Sequence, residues 1–292
     1  MGTPLSILIP CHPPKAHFLH SFLTSFALNA RAKDIEFYIL LTSENDHALF
    51  SKIASEFSNI LDVKFLFVRE YLEHTMKSTK LVHFLDGGCN KGVAVFKKFI
   101  GMHWAAKNLK GGVICIDAEA HCLRFNNSNT RTINENYNSG KYIGFNIEEA
   151  KNKTFKKINI ASELLMHPDT ILSEIYTWFF DFPYYGIDDL NLFFKDAEAK
   201  FGSEEEFFLA LNWFTFEHIV FLCWRVRSGK ATLESYNHLK LDSIPELLDR
   251  KALMAIQNGC GYTTSWMSAR FYYKENSLPP SSTAFLYHMD RI

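Results

Sequence analysis

The sequence has no excess of charge of either sign. It contains 31 basic and 32 acidic residues among 292, a formal net charge of −1 at pH 7. A general DNA or RNA binder owes much of its affinity to basic side chains that neutralise phosphates, so we expect no nucleic acid among the partners. Disordered chains combine low hydrophobicity with high net charge, whereas 47% of these residues are apolar. We therefore expect a folded protein with a large core.

The sequence also has no long hydrophobic run. The longest, residues 219–224, is far shorter than the ~20 residues that span a bilayer. No basic segment precedes an apolar one at the N-terminus, so a signal peptide is not expected. The six cysteines lack CxxC spacing, which favours reduced, buried thiols over a zinc site. Together these features predict a cytoplasmic protein.

The first half of the chain alternates between short apolar runs and helical patterns. Leu5–Ile9 predicts a buried strand that ends at Pro10, because proline cannot donate to a sheet ladder. Further strands are predicted at 35–41, 63–68 and 113–116, and helices at 16–30, 47–57 and 93–109. This alternation is typical of an α/β protein, so we expect a Rossmann-type, mainly parallel sheet flanked by helices.

The second half has a different character. Residues 126–140 are rich in Asn, Ser and Thr, which predicts a loop, and residues 163–248 show mostly helical and very aromatic patterns. We expect two halves, 1–145 and 146–292, of which the second is rich in helices. No Gly/Ser or Pro linker separates them, so they are predicted to form one compact unit.

Two carboxylates follow the strand predicted at 113–116. Asp117 and Glu119 alternate across the strand end, so both are expected to face the crevice outside the carboxyl edge of the sheet, where open α/β sheets bind ligands. Mg²⁺ or Mn²⁺ takes one or two protein carboxylates and completes its shell with phosphate oxygens and water. The pair therefore predicts a site for a divalent cation and a diphosphate, the alternative being a solvated pair on a loop.

Three segments resemble nucleotide-sugar-dependent glycosyltransferases of the GT-A fold. The opening strand Ser6–Pro10 is similar to that family's first strand, and Asp117-Ala118-Glu119 is similar to its Asp-x-Asp motif. Ahead of that motif, a loop and helix resemble the family's lysine-bearing helix and carry Lys91, Lys97 and Lys98. The resemblance covers the N-terminal part of the chain, to about residue 125.

The resemblance implies an enzyme that moves a sugar, of the hexosyl or N-acetylhexosaminyl type, from a nucleoside-diphosphate donor to a glycan or glycolipid acceptor. Residues 1–145 would bind the donor and 146–292 the acceptor. The implied donor-binding residues are Pro10, Cys11, His12, Glu44, Lys91, Lys97 and Asp117. The implied ligands of Mn²⁺ or Mg²⁺ are Asp117, Glu119 and His288, with Glu119 where the family has Asp. Such an enzyme of polysaccharide biosynthesis is expected in the cytoplasm, with peripheral attachment to the inner face of the membrane as an option.

Glu217 is the first predicted catalytic base. The pattern over residues 209–227 predicts one helix on which Trp213, Glu217 and Trp224 share a face, so Glu217 would lie within an aromatic stripe. Burial raises the pKa of a carboxyl group, and a raised pKa suits a general base near neutral pH. The alternative is an ion pair with Arg225, Arg227 or a neighbouring His.

Asp189 is the second predicted base. Tyr184 and Tyr185 precede Asp188 and Asp189 in a segment expected to be a loop, where the rings would stack on a sugar. The alternative role of either aspartate is to cap a helix that starts near Leu190.

Two other functions fit parts of the pattern. A nucleotidyltransferase would also use paired carboxylates and a metal, but a Gly-rich loop is expected after its first strand, and Pro10–Lys15 contains no glycine. A non-catalytic, aromatic-rich binding protein would leave Asp117 and Glu119 solvated. If nucleoside diphosphates, with and without Mn²⁺, do not stabilise the protein, the non-catalytic alternative gains most.

Overall fold

The structure is a computed structural model that describes residues 4–30, 35–125, 127–146, 153–166, 175–176, 183–235, 260–264 and 284–288. Its elements, in chain order, are β1 (Leu5–Pro10), α1 (Ala16–Asn29), β2 (Ile35–Leu41), α2 (His47–Ser55), β3 (Asp62–Phe67), α3 (Val68–Glu70), α4 (Thr79–Asp86), α5 (Val93–Asn108), β4 (Gly112–Cys115), β5 (Ala120–Arg124), α6 (Asn127–Ser139), β6 (Lys141–Asn146), α7 (Lys153–Met166), β7 (Ile175–Tyr176), β8 (Tyr184–Gly186), α8 (Ile187–Phe201), α9 (Glu204–Leu209), α10 (Glu217–Arg227), β9 (Thr232–Ser235), β10 (Cys260–Thr264) and β11 (Ala284–His288). A π-helical turn, Tyr71–Thr75, follows α3.

A five-stranded sheet in the order β3-β2-β1-β4-β8 forms the centre of the protein. β1 pairs in parallel with β2 and with β4, and β2 pairs in parallel with β3. β8 comes from the second half of the chain and pairs antiparallel with β4. The expected fold class, a mainly parallel α/β sheet flanked by helices, is confirmed.

The order of the strands reverses beside β1. From β1 the chain moves outward to β2 and β3, then returns through α4 and α5 to β4 on the other side of β1. A reversal of this kind opens a crevice at the carboxyl edge of the sheet, because the two neighbouring connections leave in opposite directions. The point where the strand order reverses therefore lies between the ends of β1 and β4, where open α/β sheets bind ligands. We call this edge of the sheet the crevice.

The core lies on both faces of this sheet. Residues Leu5–Ile9 of β1 and all of β4 are buried, as expected for the short apolar runs of a parallel sheet that is covered on both sides. α5 approaches one face closely at Gly101, where an added Cβ would lie 2.6 Å from Leu40 Cδ1. The glycine therefore lets the helix that carries Lys97 and Lys98 lie directly on the sheet.

Two smaller sheets accompany the central one. One has the strand order β10-β11-β5 and the other β7-β6-β9. In the first, β11 runs antiparallel to β5, and His288 pairs with Ala120. Among the described residues, no helix is both long and apolar enough to cross a bilayer.

The loop predicted at 126–140 is wrong, because residues Asn127–Ser139 form α6. Asn, Ser and Thr are weak helix formers, and their abundance suggested a loop. However, Ile133 and Tyr137, which lie four positions apart on one helix face, are both buried. Their packing outweighs the weak local preference, as tertiary contacts often do.

The single helix predicted over 209–227 is also wrong. α9 ends at Leu209, and α10 begins at Glu217. In the turn between them, Phe214 N–H donates to Asn212 Oδ1 at 2.8 Å, and Asn212 N–H donates to Thr215 Oγ1 at 3.0 Å. Such side-chain bonds compete with the helical backbone pattern, and here they break the helix.

Candidate active site

The crevice between β1 and β4 brings the predicted donor-binding segments together. β1 ends at Pro10 and leads into Cys11 and His12, and β4 leads into Asp117. Because β1 and β4 are parallel, both segments leave the sheet at the same edge. The helix that precedes β4, α5, returns the chain to the start of that strand, so its first turns lie at this carboxyl edge too.

One lysine joins two carboxylates at this edge. Lys98 Nζ of α5 lies 3.0 Å from Asp117 Oδ1 and 3.0 Å from Glu217 Oε1. The exposed fractions of the side chains are 32% for Asp117, 9% for Lys98 and 2% for Glu217. The cluster therefore runs from the solvent side of the crevice into the interior, with the ammonium in the middle.

Glu217 is the first residue of α10, and Phe216 is its N-cap. It therefore does not lie in the middle of an aromatic helix face, as the sequence predicted. Acidic side chains in the first turn of a helix interact favourably with the positive end of its dipole. Among the described residues, buried Oε2 of Glu217 has no hydrogen-bond partner, whereas Oε1 faces Lys98. The partner in this ion pair is Lys98, not one of the arginines that follow in the same helix.

Glu119 has a separate cation. Lys15 Nζ, after the end of β1, donates to Glu119 Oε1. The lysine side chain is mostly exposed, whereas the glutamate is mostly covered. The two carboxylates that follow β4 are therefore both paired with lysines, Asp117 with a buried one and Glu119 with a solvated one.

The candidate side-chain ligands for a metal ion are the carboxylates of Asp117 and Glu119. Carboxylate oxygens are ligands that Mg²⁺ and Mn²⁺ prefer. No group of three or more His, Cys, Asp or Glu side chains within the described part of the chain is arranged to hold an ion. The register of β11 sets the backbone of His288 opposite Ala120, next to Glu119 in the chain. Asp117 and Glu119 are thus two carboxylates close together in the chain after β4, each paired with a lysine.

Lys97 supports the end of β1. Its side chain is buried, and Nζ donates to the Cys11 carbonyl at 2.7 Å. Burial lowers the pKa of this ammonium to about 8, while burial raises the pKa of the neighbouring Cys11 thiol. Lys97 therefore fixes the segment that was predicted to contact the donor. It does so through its hydrogen bond to the backbone carbonyl of Cys11.

The remaining predicted donor residues lie around the same edge. Glu44 follows β2, which is parallel to β1, and its N–H donates to Glu70 Oε1 at 2.9 Å. Lys91 is exposed and lies just before α5. It ends a run of four residues, 88–91, that all have positive φ. Three of these four are not glycine, so the turn stores backbone strain of about 1–2 kcal/mol per residue.

Asp189 lies at the opposite edge of the sheet. β8 is antiparallel, and Gly186 at its end pairs with Gly112 at the start of β4. Asp189 Oδ2 accepts a hydrogen bond from Tyr137 at 2.6 Å, and Oδ1 lies 2.7 Å from Lys230 Nζ. Burial alone would raise the pKa of this carboxyl, but Lys230, Tyr137 and Arg225 lower it below its ordinary value. The structure separates the two predicted bases, and Asp189 does not join the crevice.

The tyrosines before Asp189 are strand residues, not loop residues. Tyr184 and Tyr185 form β8 and are buried. The Tyr184 hydroxyl donates to Asn134 Oδ1 at 3.0 Å, and the Tyr185 ring meets Phe221 edge-on at 5.1 Å. Neither ring presents a free face for a sugar, so the stacking role predicted for them is wrong.

The sequence did not predict that Lys98 bridges Asp117 and Glu217. A signal was present, because Lys97 and Lys98 stand between Phe96 and Phe99 in a helix with an otherwise apolar centre. A lysine in such a position must find a carboxylate or a carbonyl, since an unpaired buried charge is costly. Lys98 pairs with the carboxylates of Asp117 and Glu217, and Lys97 donates to the carbonyl of Cys11.

Comparisons with known proteins do not themselves indicate a function for this chain. No protein-family model and no curated protein sequence matches the chain. Among solved structures, mouse xyloside xylosyltransferase 1 in its apo form is similar over 99% of this chain and 98% of its own, with 8% identity and a TM-score of 0.46. S. aureus TarS in complex with UDP is similar over 94% of this chain and 72% of its own, with 12% identity and a TM-score of 0.37. For TarS 1-349, the match covers 49% of this chain and 35% of that one, at 15% identity and a TM-score of 0.28. Likenesses at these scores carry no argument about activity.

Proposed function

We propose that the protein is a glycosyltransferase that moves a sugar from a nucleoside-diphosphate donor to a glycan or glycolipid acceptor. The observation that carries this proposal is the Asp117–Lys98–Glu217 cluster at the crevice between β1 and β4. The crevice lies where open α/β sheets bind nucleotides. It also contains the two kinds of group that sugar transfer needs, cations for a diphosphate and a carboxylate for the acceptor proton.

The donor is proposed to lie across the ends of β1 and β4. Pro10, Cys11 and His12 would contact the nucleoside, together with Glu44 after the neighbouring strand. Lys97 holds the carbonyl of Cys11 and thereby fixes this segment. Lys91, exposed at the rim, would attract the phosphates. A site that is already ordered before the donor binds loses less conformational entropy on binding.

Asp117 and Glu119 are the residues that would hold Mn²⁺ or Mg²⁺. When bound, such an ion acts as a Lewis acid that stabilises the charge on the leaving diphosphate. The Lys15 side chain reaches Glu119 from the solvent side. This lysine can therefore move away at little cost when a cation and a diphosphate enter. Lys98 remains behind Asp117 and keeps the carboxylate oriented.

Glu217 is the proposed general base. Its Oε1 pairs with Lys98, while Oε2 has no hydrogen-bond partner among the residues that the structure describes. A general base needs an acceptor oxygen that can reach the proton it takes, and Oε2 would supply it. Because only 2% of the side chain is exposed, the proposal requires that ligand binding opens a path from the crevice to this oxygen.

Thermal unfolding with nucleoside diphosphates tests donor binding. The panel contains UDP, GDP, CDP and ADP, each with and without Mn²⁺. A ligand at 100 times its dissociation constant should stabilise the protein by about 2.7 kcal/mol. Asp117→Asn should reduce this stabilisation, whereas Asp188→Asn, an exposed aspartate in the first turn of α8, should not. If no diphosphate stabilises the wild-type protein under either condition, the proposal is wrong.

The products of the reaction distinguish the enzyme classes. A glycosyltransferase incubated with UDP-glucose, UDP-galactose or UDP-N-acetylglucosamine releases UDP, by transfer to an acceptor or slowly to water. A nucleotidyltransferase instead releases pyrophosphate from UTP and a sugar 1-phosphate. Release of pyrophosphate without UDP formation would replace the proposal with the alternative class.

A further inference from the structure

Two aromatic side chains are exposed together in one turn. Among the Phe, Tyr and Trp side chains that the structure describes, Trp213 and Phe214 are the exposed ones, at 44% and 36%. Other described aromatic rings pack in the core or at its margin. Contiguous exposed apolar surface is often a place where a ligand or partner binds, whereas single exposed apolar residues are ordinary.

The turn that carries these rings is held rigidly. Thr215 Oγ1 donates to the Asn212 carbonyl at 2.9 Å, which closes the turn from within. From α7, Ser162 Oγ donates to the Phe214 carbonyl at 3.1 Å and accepts from Phe216 N–H at 2.9 Å. The Trp213 ring meets Phe216 edge-on at 5.9 Å. The rings are therefore presented by a fixed backbone.

The same turn borders the crevice. A Cβ added at Gly92 would lie 2.9 Å from the backbone of Asn212 and of Trp213. Gly92 is the N-cap of α5, whose first turns lie at the carboxyl edge of the sheet. At its other end the turn leads directly into Glu217, which pairs with Lys98. Trp213 and Phe214 thus lie between the start of α5 and the start of α10, at the rim of the proposed active site.

We propose that Trp213 and Phe214 form an acceptor platform, on which a pyranose ring of the acceptor stacks beside Glu217. This inference rests on the proposed function and names the chemical class bound at one side of its site. A pyranose has an apolar C–H face that fits a flat ring, and hydroxyls around it that fit carboxylates nearby. The fixed turn reduces the entropy lost on binding.

The size of the platform favours a sugar over a protein partner. Each aromatic ring contributes at most about 250 Å² of surface. A stable protein interface buries about 800 Å² on each partner, well beyond what two rings supply. A single sugar ring, with one face to cover, matches the area that the turn presents.

The Trp213 indole N–H resonance tests binding directly. It is assigned as the signal that Trp213→Phe removes, and it is followed while methyl glycosides of glucose, galactose and N-acetylglucosamine are added. We expect the resonance to shift with a dissociation constant of the order of millimolar, as befits a ligand of monosaccharide size. No shift with any of the three glycosides overturns the platform. A shift on concentrating the protein alone, or with detergent micelles but not glycosides, overturns it in favour of a second copy or a lipid surface.

Variants link the platform to transfer. Trp213→Ala and Phe214→Ala should each raise the KM for a glycoside acceptor about fivefold or more, while the affinity for UDP stays unchanged. Leu192→Ala removes an equally exposed apolar side chain from α8 and should change neither. Loss of UDP affinity in Trp213→Ala, or an unchanged acceptor KM in both variants, contradicts the inference.

The two proposals fail in different ways. Glycoside binding at Trp213 without any binding of nucleoside diphosphates leaves a sugar-binding site and removes the transferase. UDP binding and donor hydrolysis without glycoside binding keeps the transferase and removes the platform.

Discussion

Lys98 Nζ lies 3.0 Å from Glu217 Oε1, in a part of the protein where both side chains are covered by other residues. Removing two charges from water costs several kcal/mol per ion, and a close ion pair recovers only part of that cost. A second carboxylate, Asp117, lies at the same distance from the ammonium. Because the arrangement costs free energy of desolvation and sits at a crevice, we interpret it as a functional cluster.

Lys98→Met should strongly destabilise the fold. The variant leaves Glu217 as a buried carboxylate without its cation, and breaking a buried pair in this way costs about 3–5 kcal/mol. Urea unfolding at pH 7 measures the loss. Lys107→Met is a matched control on the same helix, because that lysine is about half exposed and an exposed pair contributes at most about 1 kcal/mol. Equal losses in the two variants would show that the Lys98 pair is not a buried cluster.

Glu217→Gln should abolish transfer with little effect on donor binding. The amide oxygen can still accept from Lys98, but the side chain can no longer take a proton, so kcat should fall about 10²–10⁴-fold. The measurement is steady-state transfer together with the dissociation constant for UDP. Glu163→Gln, at a buried glutamate of α7 outside the cluster, controls for general effects of removing a buried carboxylate. Retained kcat with weakened UDP binding would instead make Glu217 an anchor for Lys98.

The parts of this site that the sequence predicted lie at strand ends. Asp117 follows a run of apolar residues that is buried on both faces, and such a run reads as a strand whatever surrounds it. The same reasoning located β1, β2 and β3, and with them the residues at the carboxyl edge. The crevice followed from these elements because parallel strands end at a common edge.

The contacts that complete the site depend on the second half of the chain, where local patterns failed. The helix is interrupted before Glu217 by hydrogen bonds among Asn212, Phe214 and Thr215. A helical spacing of apolar residues gives no sign of such hydrogen bonds. Lys98 and Glu217 are far apart in sequence, and their spacing does not predict that they pair. Asp189 shows the converse, since a carboxylate after aromatic residues proved to pair with Lys230 at the other edge.

Lys15→Ala should strengthen binding of Mn²⁺ in the presence of UDP. The Lys15 ammonium and a metal ion would compete for Glu119, so removal of the ammonium favours the metal. Because the lysine is mostly exposed, the gain should be severalfold, the equivalent of at most about 1 kcal/mol. Free Mn²⁺ measured by electron paramagnetic resonance gives the dissociation constant. Lys52→Ala, at an exposed lysine of α2, should leave it unchanged. Unchanged or weaker Mn²⁺ binding in Lys15→Ala would contradict competition between Lys15 and the metal ion for Glu119.

Lys97 should make stability depend on pH in the alkaline range. Burial lowers the pKa of its ammonium from 10.5 to about 8 in the folded protein. Between these two values the unfolded chain binds more protons than the folded one, so stability rises with pH through this window. The destabilisation from the buried charge is present in full below pH 8 and is relieved as pH approaches 10.5. The interval corresponds to about 3 kcal/mol.

Replacing Lys97 isolates this contribution from the other groups that titrate above pH 8. The free energy of unfolding in urea is measured for wild-type protein and Lys97→Met at pH 7.5, 8.5, 9.5 and 10.5. Relative to the variant, wild-type protein should gain about 3 kcal/mol over this range, since methionine carries no proton to lose. Met102→Leu, a neutral change in the same helix, should keep a constant difference from wild type at every pH. A Lys97→Met difference that is equally constant would mean that Lys97 is not held as a buried ammonium beside the Cys11 carbonyl.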